Sequence, residues 1–299
     1  MTLPESDRRT FLAAGAAVSL GGMLPIVTAA AESPQPQAPG RRRDSGSPMR
    51  ILIVNANTSA LVTEKLEAEA RTVASPGTEI VAVTGTFGAR VIASRAENAI
   101  AEHSAIALVS QYAGDCDAVV IGVSYDTGLR GARELLPIPV VDMTEAGLLT
   151  ACMLGGRIGM ITFERRLLPL YQEVVAGYAL SSRIAGWRVL ESTAAFQRGD
   201  HAELDREIIN AARSLADADM ADVVILTGAA MAGVPRRLQA DIPVPLIDCA
   251  ACGVRQAELL VRLALPKARA GSYALPRGRE LIGVSAAITR AFGTADARR

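Results

Sequence analysis

The chain has 299 residues, enough for one large core or two medium ones, and half of them are hydrophobic. Charged residues make up 21% and the formal net charge is zero, which excludes a disordered chain and leaves no electrostatic footprint for nucleic acid. Only two histidines occur, His103 and His201, so a multi-histidine metal site is excluded, and the 4% of aromatics suits an α/β core of Ala, Val, Leu and Ile rather than a β-sandwich.

The first fifty residues read as a leader rather than as part of the fold. Ser6-Asp7-Arg8-Arg9-Thr10-Phe11-Leu12 places paired arginines ahead of a mildly apolar run, Ala13 to Ala31, that ends in small residues. That pattern resembles a twin-arginine export signal over residues 1–31 and implies a periplasmic or secreted protein. A transmembrane anchor is disfavoured by Gly15, Gly21 and Gly22 and by the scarcity of Leu and Ile. Residues 32–48, rich in Pro, Ser and Arg, read as a disordered tether, so no membrane segment is expected in the mature form.

From Met49 the chain reads as buried parallel strands alternating with helices. Arg50 to Val54 is a strand ended by Asn55-Ala56-Asn57-Thr58-Ser59, whose side chains suit a turn and helix N-cap. A helix with Val62, Leu66, Ala70 and Val73 on one face follows, then an edge or second strand at Glu79 to Val83. Arg90 to Val109 is expected to be a long helix leading to a strand at Val119 to Ile121. Ile138 to Asp142 is a further strand, and a helix is expected from about Thr144 to Leu154.

The pattern then restarts. Arg157 to Thr162 mirrors Arg50 to Asn55, Val223-Val224-Ile225 mirrors Val119-Val120-Ile121, and Ile242 to Asp248 mirrors Ile138 to Asp142. Three correspondences in one order argue for internal duplication. The expected fold is α/β with two similar lobes, residues 49–155 and 156–264, each a parallel sheet flanked by helices, pseudo-twofold related with a pocket between them. Residues 265–299 are expected to carry a C-terminal helix, about Arg279 to Phe292, packed back on one lobe.

Ligands in open α/β sheets bind at turns leaving the carboxyl ends of strands. Two such turns stand out, Gly122 to Gly128 and Thr227 to Gly233, with Asn55 and Thr162 closing the other two strands. Asn55, Thr58, Ser124, Thr162 and Thr227, with Gly228 and the backbone N–H groups around them, could serve as hydrogen-bond donors to a substrate, or simply as helix caps. Asp126 suits turn formation, and Glu145 a charge at a helix N-terminus. Arg165-Arg166 and Arg236-Arg237 could hold a substrate carboxylate but read more naturally as solvated surface. Cys116 and Cys152 read as buried filler, while Cys249 and Cys252 form a C-x-x-C that could bridge in an oxidising compartment.

These residues resemble the Asp/Glu/hydantoin racemase family. The matching stretches are N-A-N-T-S at 55 to 59, F-G-A-R-V-I-A-S-R at 87 to 95 and D-A-V-V-I at 117 to 121. They continue with D-T-G-L-R-G-A-R-E at 126 to 134, I-P-V-V at 138 to 141 and M-A-G-V at 231 to 234. The resemblance spans Met49 to about Ala264 and implies cofactor-free proton transfer at a carbon next to a carbonyl, with no metal, a small-molecule substrate and a homo-oligomer. It also implies two cysteines, one per lobe, on opposite faces of the substrate carbon. At those positions this chain carries Val123 and Gly228.

Valine exchanges no proton, so three readings stand. Acid–base duty has moved to Tyr125, Ser124, Asp126 or Cys249, the last opening a helix where a thiolate is favoured. Alternatively, the same oxyanion cradle supports a lyase or decarboxylase. In the third reading the protein binds a small carboxylate or cyclic amide without turnover. For Tyr125 a pocket-wall role competes with catalysis, and for Cys249 a tight-turn role or a disulfide does.

Overall fold

The computed structural model describes residues 47–191, 201–276, 278 and 280–293. The expected export signal, and the tether up to residue 46, lie outside the described residues. Among the described residues no helix is long and apolar enough to cross a membrane.

The first half runs β1 (Met49–Asn55), α1 (Ala60–Val73), β2 (Thr78–Thr84), α2 (Arg95–Tyr112), β3 (Ala118–Ile121), α3 (Leu129–Leu135), β4 (Val140–Asp142) and α4 (Met143–Leu154). The second half repeats the scheme as β5 (Ile158–Phe163), α5 (Leu168–Gly177), β6 (Ile184–Leu190), α6 (His201–Ala218), β7 (Val223–Leu226), α7 (Val234–Leu238), β8 (Leu246–Asp248) and α8 (Cys249–Leu263). A last helix, α9 (Ala286–Phe292), follows.

The strands form two parallel four-stranded sheets, ordered β2-β1-β3-β4 and β6-β5-β7-β8. Registers correspond too: Ile51 faces Ala118 in the first sheet as Ile158 faces Val223 in the second. Every residue of β3 and β7 is buried, as expected of strands covered on both faces. Ile51 and Ile53 join one core while Leu52 and Val54 join another, the period-two alternation of a strand lying between two helical layers.

The two halves are interlocked through their last helices. Helix α4 packs on β7 of the second sheet, and α8 packs on β3 of the first. The close approach is set by glycines: a Cβ at Gly147 would lie 2.6 Å from Cys249 Sγ, and one at Gly253 would lie 2.9 Å from Val120 Cγ1. The central core therefore runs from Ile51 and Val120 through Met143, Leu148 and Val254 to Met160 and Ile225 without a break.

Several local expectations need adjustment. Helix α2 begins at Arg95 rather than Arg90, because the Ser94 hydroxyl caps it by accepting from Glu97 N. The Ser59 side chain makes no cap; Asn57 Oδ1 accepts from Ser59 N instead, at 2.9 Å. Gly155-Gly156 turn the chain between halves, with Asp222 Oδ2 accepting from Gly156 N and Arg157 N. The C-terminal helix is shorter than expected: Gly283 at φ +76 breaks the chain direction, and Ser285 caps α9 through its hydroxyl. Helix α9 lies against α2 of the first lobe.

Candidate active site

The carboxyl ends of β1, β3, β5 and β7 carry the turns singled out from the sequence. Asn55 is fully buried, and its amide is committed to its own turn. Its Nδ2 donates to Asn57 Oδ1, Ser59 O and Thr63 Oγ1 at 2.9–3.1 Å, and its Oδ1 accepts from Asn57 N. Thr58 is half-buried, and its N–H donates to Ala89 O. Asn55 therefore shapes the site rather than reaching into it.

A cluster of hydroxyls lies between the β3 and β7 turns. Ser124 is buried and its carbonyl accepts from Thr144 Oγ1 at 2.9 Å. Thr162 and Thr227 are buried at the ends of β5 and β7, and neither hydroxyl has a hydrogen-bond partner among the described residues. The centre is occupied by a residue that sequence reading missed, Tyr171 of α5, which is 2% exposed. Its phenol lies against the hydroxyls of Ser124 and Thr227, although Thr227 does not attain hydrogen-bond geometry. Its ring tilts at 54° against that of Tyr125, with centroids 5.0 Å apart, a favourable aromatic arrangement. Burial raises the Tyr171 phenol, with Ser124 and Thr227 pulling the other way. Burial also raises Tyr125 strongly, and neighbouring Tyr171 adds to it. Both phenols are held protonated and are donors at rest.

Val123 and Gly228, the positions where the family resemblance implies thiols, differ in backbone as well as side chain. Val123 is buried within the first lobe's outer core. Gly228 sits at φ +99, ψ 125, in a region that side-chain-bearing residues rarely adopt. Space is not limiting there, since a Cβ at Gly228 would approach nothing closer than Met231 Cγ at 3.9 Å.

Cys249 does not have the thiolate character expected of it. It opens α8, but it is 2% exposed, its only hydrogen-bond contact among the described residues is Leu226 O at 4.0 Å, and burial raises its thiol well above the ordinary value. Desolvation outweighs the helix terminus here. Cys249 and Cys252 are both free, so the bridge considered from the C-x-x-C spacing is not formed. The paired arginines are engaged at the surface: Arg165 with Glu191, Arg166 with Ala93 O, Arg236 with Glu69 and Arg237 with Asp205. Glu145 pairs with Arg133, Oε1 to Nη1 at 3.0 Å.

Next to Tyr125 lies a second feature that the sequence did not reveal. Asp126, at φ +53, and Asp142, at the end of β4, bring their carboxyls together. Asp142 Oδ1 accepts from Thr144 N, and Asp126 Oδ2 accepts from the Tyr178 hydroxyl at 2.7 Å across the lobes. The remaining oxygens, Asp126 Oδ1 and Asp142 Oδ2, are buried without a hydrogen-bond donor. Burial raises both carboxyls, and in Asp142 the facing Asp126 is the next cause. Such a pair titrates as a unit, and burial together with the facing carboxyl favours its protonated form. Among the described residues no group of three or more His, Cys, Asp or Glu side chains is arranged to hold a metal ion.

Two parallel sheets with their turns meeting at the strand ends define a two-lobed α/β protein of the pseudo-symmetric racemase fold. The chain belongs to the Asp/Glu/hydantoin racemase family, whose profile matches residues 51–257. A hydantoin racemase from Paenarthrobacter aurescens is 30% identical over 78% of this chain and all of its own length. The solved allantoin racemase from Pseudomonas fluorescens is 36% identical, with a TM-score of 0.74 over 79% of this chain and all of its own. The allantoin racemase from Klebsiella pneumoniae is 29% identical, with a TM-score of 0.73 over 81% of this chain and 99% of its own.

Proposed function

We propose that this protein is a cofactor-independent isomerase, a racemase-like enzyme that moves a proton at the carbon next to a carbonyl. Its substrate would be a small cyclic amide of the hydantoin or allantoin type, or an amino-acid derivative. The carrying observation is the convergence of Ser124, Tyr125, Tyr171 and Thr227 where the two strand-end turns meet. Removing a proton next to a carbonyl places negative charge on the carbonyl oxygen, and preorganised donors in a dry site stabilise that charge. Phenols held protonated by burial are suited to it. Relatives covering almost their whole length are hydantoin and allantoin racemases, which favours this reading over a lyase or a binding protein.

With Val123 and Gly228 at the positions assigned to thiols, the base must come from elsewhere. The Asp126–Asp142 pair is the group we assign to it. A pair holding one proton keeps one carboxylate free to accept another, which suits general-base chemistry. In the step, the substrate C–H bond breaks and an O–H bond forms on Asp126. The electron pair moves into the adjacent carbonyl, whose oxygen is met by the Tyr125 hydroxyl, with Tyr171 behind it. A proton delivered from water to the opposite face of the carbon inverts it, and the carboxyl pair releases its captured proton to solvent.

The test is carbon-bound proton exchange in heavy water, followed by NMR against a no-protein control, with 5-substituted hydantoins, allantoin and amino acids. Exchange with loss of optical rotation is expected, falling in Asp126→Asn by about 10²- to 10⁴-fold, the usual contribution of a positioned base. No exchange by the wild-type protein with any member of that panel would overturn the reading.

A further inference from the structure

Two cavities flank the lobe junction, and the internal duplication relates them. One, of about 410 Å³, is lined by Tyr125, Asp126, the start of α3 and residues Leu170, Glu173, Val174 and Gly177 of α5. Its counterpart, of about 480 Å³, is lined by Met231 to Val234 and by Lys65, Ala68, Glu69 and Thr72 of α1. The helix positions match one to one, at the same spacing along α1 and α5. Both volumes suit a small molecule.

The chemistry of their walls differs. In the larger cavity the cations are engaged: Arg236 with Glu69, Arg237 with Asp205, and Lys65 Nζ donating to Ala230 O at 3.1 Å. In the smaller cavity Arg95 pairs with Glu173 across the lobes. Arg130, however, has no hydrogen-bond or ion-pair partner among the described residues. Its Nη2 lies 3.9 Å from the Cβ position at Gly177, so the guanidinium reaches from α3 toward the end of α5. Facing it, Asp126 lines the same wall as Tyr125, its carboxyl fixed by Tyr178 and Asp142.

We infer that this smaller cavity, off the axis between the lobes, is where the substrate binds. It would take a molecule presenting a ureide or amide edge, with Arg130 donating to a carbonyl oxygen and the carbon next to that carbonyl turned to Asp126, the proposed base. A cation without a partner among the described residues, beside a rigidly held carboxyl, offers both halves of that arrangement. Tyr171 fills the centre between the β3 and β7 turns, so the ligand meets the hydroxyl cluster from the side, through Tyr125. This inference rests on the proposed chemistry for its substrate class, and is tested by binding alone.

The probes are hydantoin and allantoin, titrated calorimetrically into wild-type protein and into Arg130→Gln and Arg237→Gln, with thermal melts as the check on folding. Arg130 is exposed, so its substitution should leave the melting temperature unchanged. Binding is expected to weaken at least about tenfold in Arg130→Gln, as for loss of a charge-assisted hydrogen bond. It should persist in Arg237→Gln, which alters only the larger cavity. Equal affinity of Arg130→Gln and wild type, weakening confined to Arg237→Gln, or no binding by the wild-type protein would each overturn the assignment. Binding that depends on Arg130 without proton exchange would sink the isomerase reading and leave the binding site standing. Exchange that ignores Arg130 would do the reverse.

Discussion

The lobes meet through a buried carboxylate whose removal has a calculable cost. Glu258 of α8 is 1% exposed and accepts three hydrogen bonds from the first lobe. Its donors are Ser75 N at 2.8 Å, Ser75 Oγ at 2.8 Å and Thr78 Oγ1 at 2.7 Å. Arg255 adds its charge from one turn away. Glu258→Ala leaves those donors without an acceptor, and breaking a buried charged network of this kind costs about 3–5 kcal/mol. For a domain of this size each kcal/mol shifts the melting temperature by about 2–4 °C, so a fall of about 6–20 °C is expected by calorimetry. The pH dependence has a fixed sign. Burial would raise the Glu258 carboxyl, but the donors from Thr78 and Ser75 and the charge of Arg255 together hold it below the ordinary value. Its stabilisation is therefore full above the unfolded value of about 4.3 and is lost as pH falls through the lower folded value. Glu258→Gln should consequently melt below wild type at pH 7 and approach it in acid. A variant within about 2 °C of wild type, or a difference that does not shrink in acid, would refute the reasoning.

Two further outcomes follow from backbone and charge. Gly228→Cys, and Gly228→Ala alike, should lower stability by about 1–3 kcal/mol, because φ +99 is strained for any side chain while space is ample. A Gly228→Ala melt superimposing on wild type would show that the turn relaxes freely. Asp142→Asn should gain on wild type as pH rises. The raised carboxyls of Asp142 and Asp126 contribute stability below the unfolded value of about 3.9 and lose it as pH passes the folded value. Glu145 opposes their ionisation, while Arg133 and the Tyr178 hydroxyl favour it in Asp126. Melting curves from pH 4 to 8 should show the Asp142→Asn minus wild-type difference becoming more positive, and a flat difference would mean that the pair carries no extra proton.

Seven of the eight strands and the doubling of the pattern were legible, because parallel strands buried on both faces read as short apolar runs bounded by turn residues, whereas β6, a half-buried edge strand around Trp187, was not. The exchange of α4 and α8 between sheets was not legible. Amphipathic spacing shows that a helix has a buried face, but not which sheet covers it. Tyr171 was hidden for a related reason: in L-P-L-Y-Q-E-V-V it looks like any apolar face residue, and only tertiary packing carries its ring to Ser124 and Thr227. Asp126 does form the turn expected of it, with the left-handed backbone that Asp tolerates. Its second part, the carboxyl contact with Asp142, depends on two strand ends lying side by side. Cys249 shows the opposite error, a local rule about helix termini overridden by burial.

The duplication supplies an internal control for the assignment of chemistry to one side of the molecule. Asp142 and Asp248 end corresponding strands, and each caps the helix that follows with its Oδ1. Their second oxygens have separate fates. Asp248 Oδ2 accepts from Gly233 N at 2.6 Å, so that carboxyl is absorbed by the backbone of its own lobe. Asp142 Oδ2 has no such donor and is left to Asp126, where the second lobe has Met231 in the corresponding place. An ancestor with two equal halves would offer equal sites on both flanks. Among the described residues, only the first lobe's turn combines a carboxyl pair, a strand-end phenol and an arginine without a partner. The second lobe contributes Tyr178, Tyr171 and Thr227 to that same flank from the other side. On the proposed mechanism, that asymmetry confines proton transfer to one face of the junction and leaves the other to hold the lobes together.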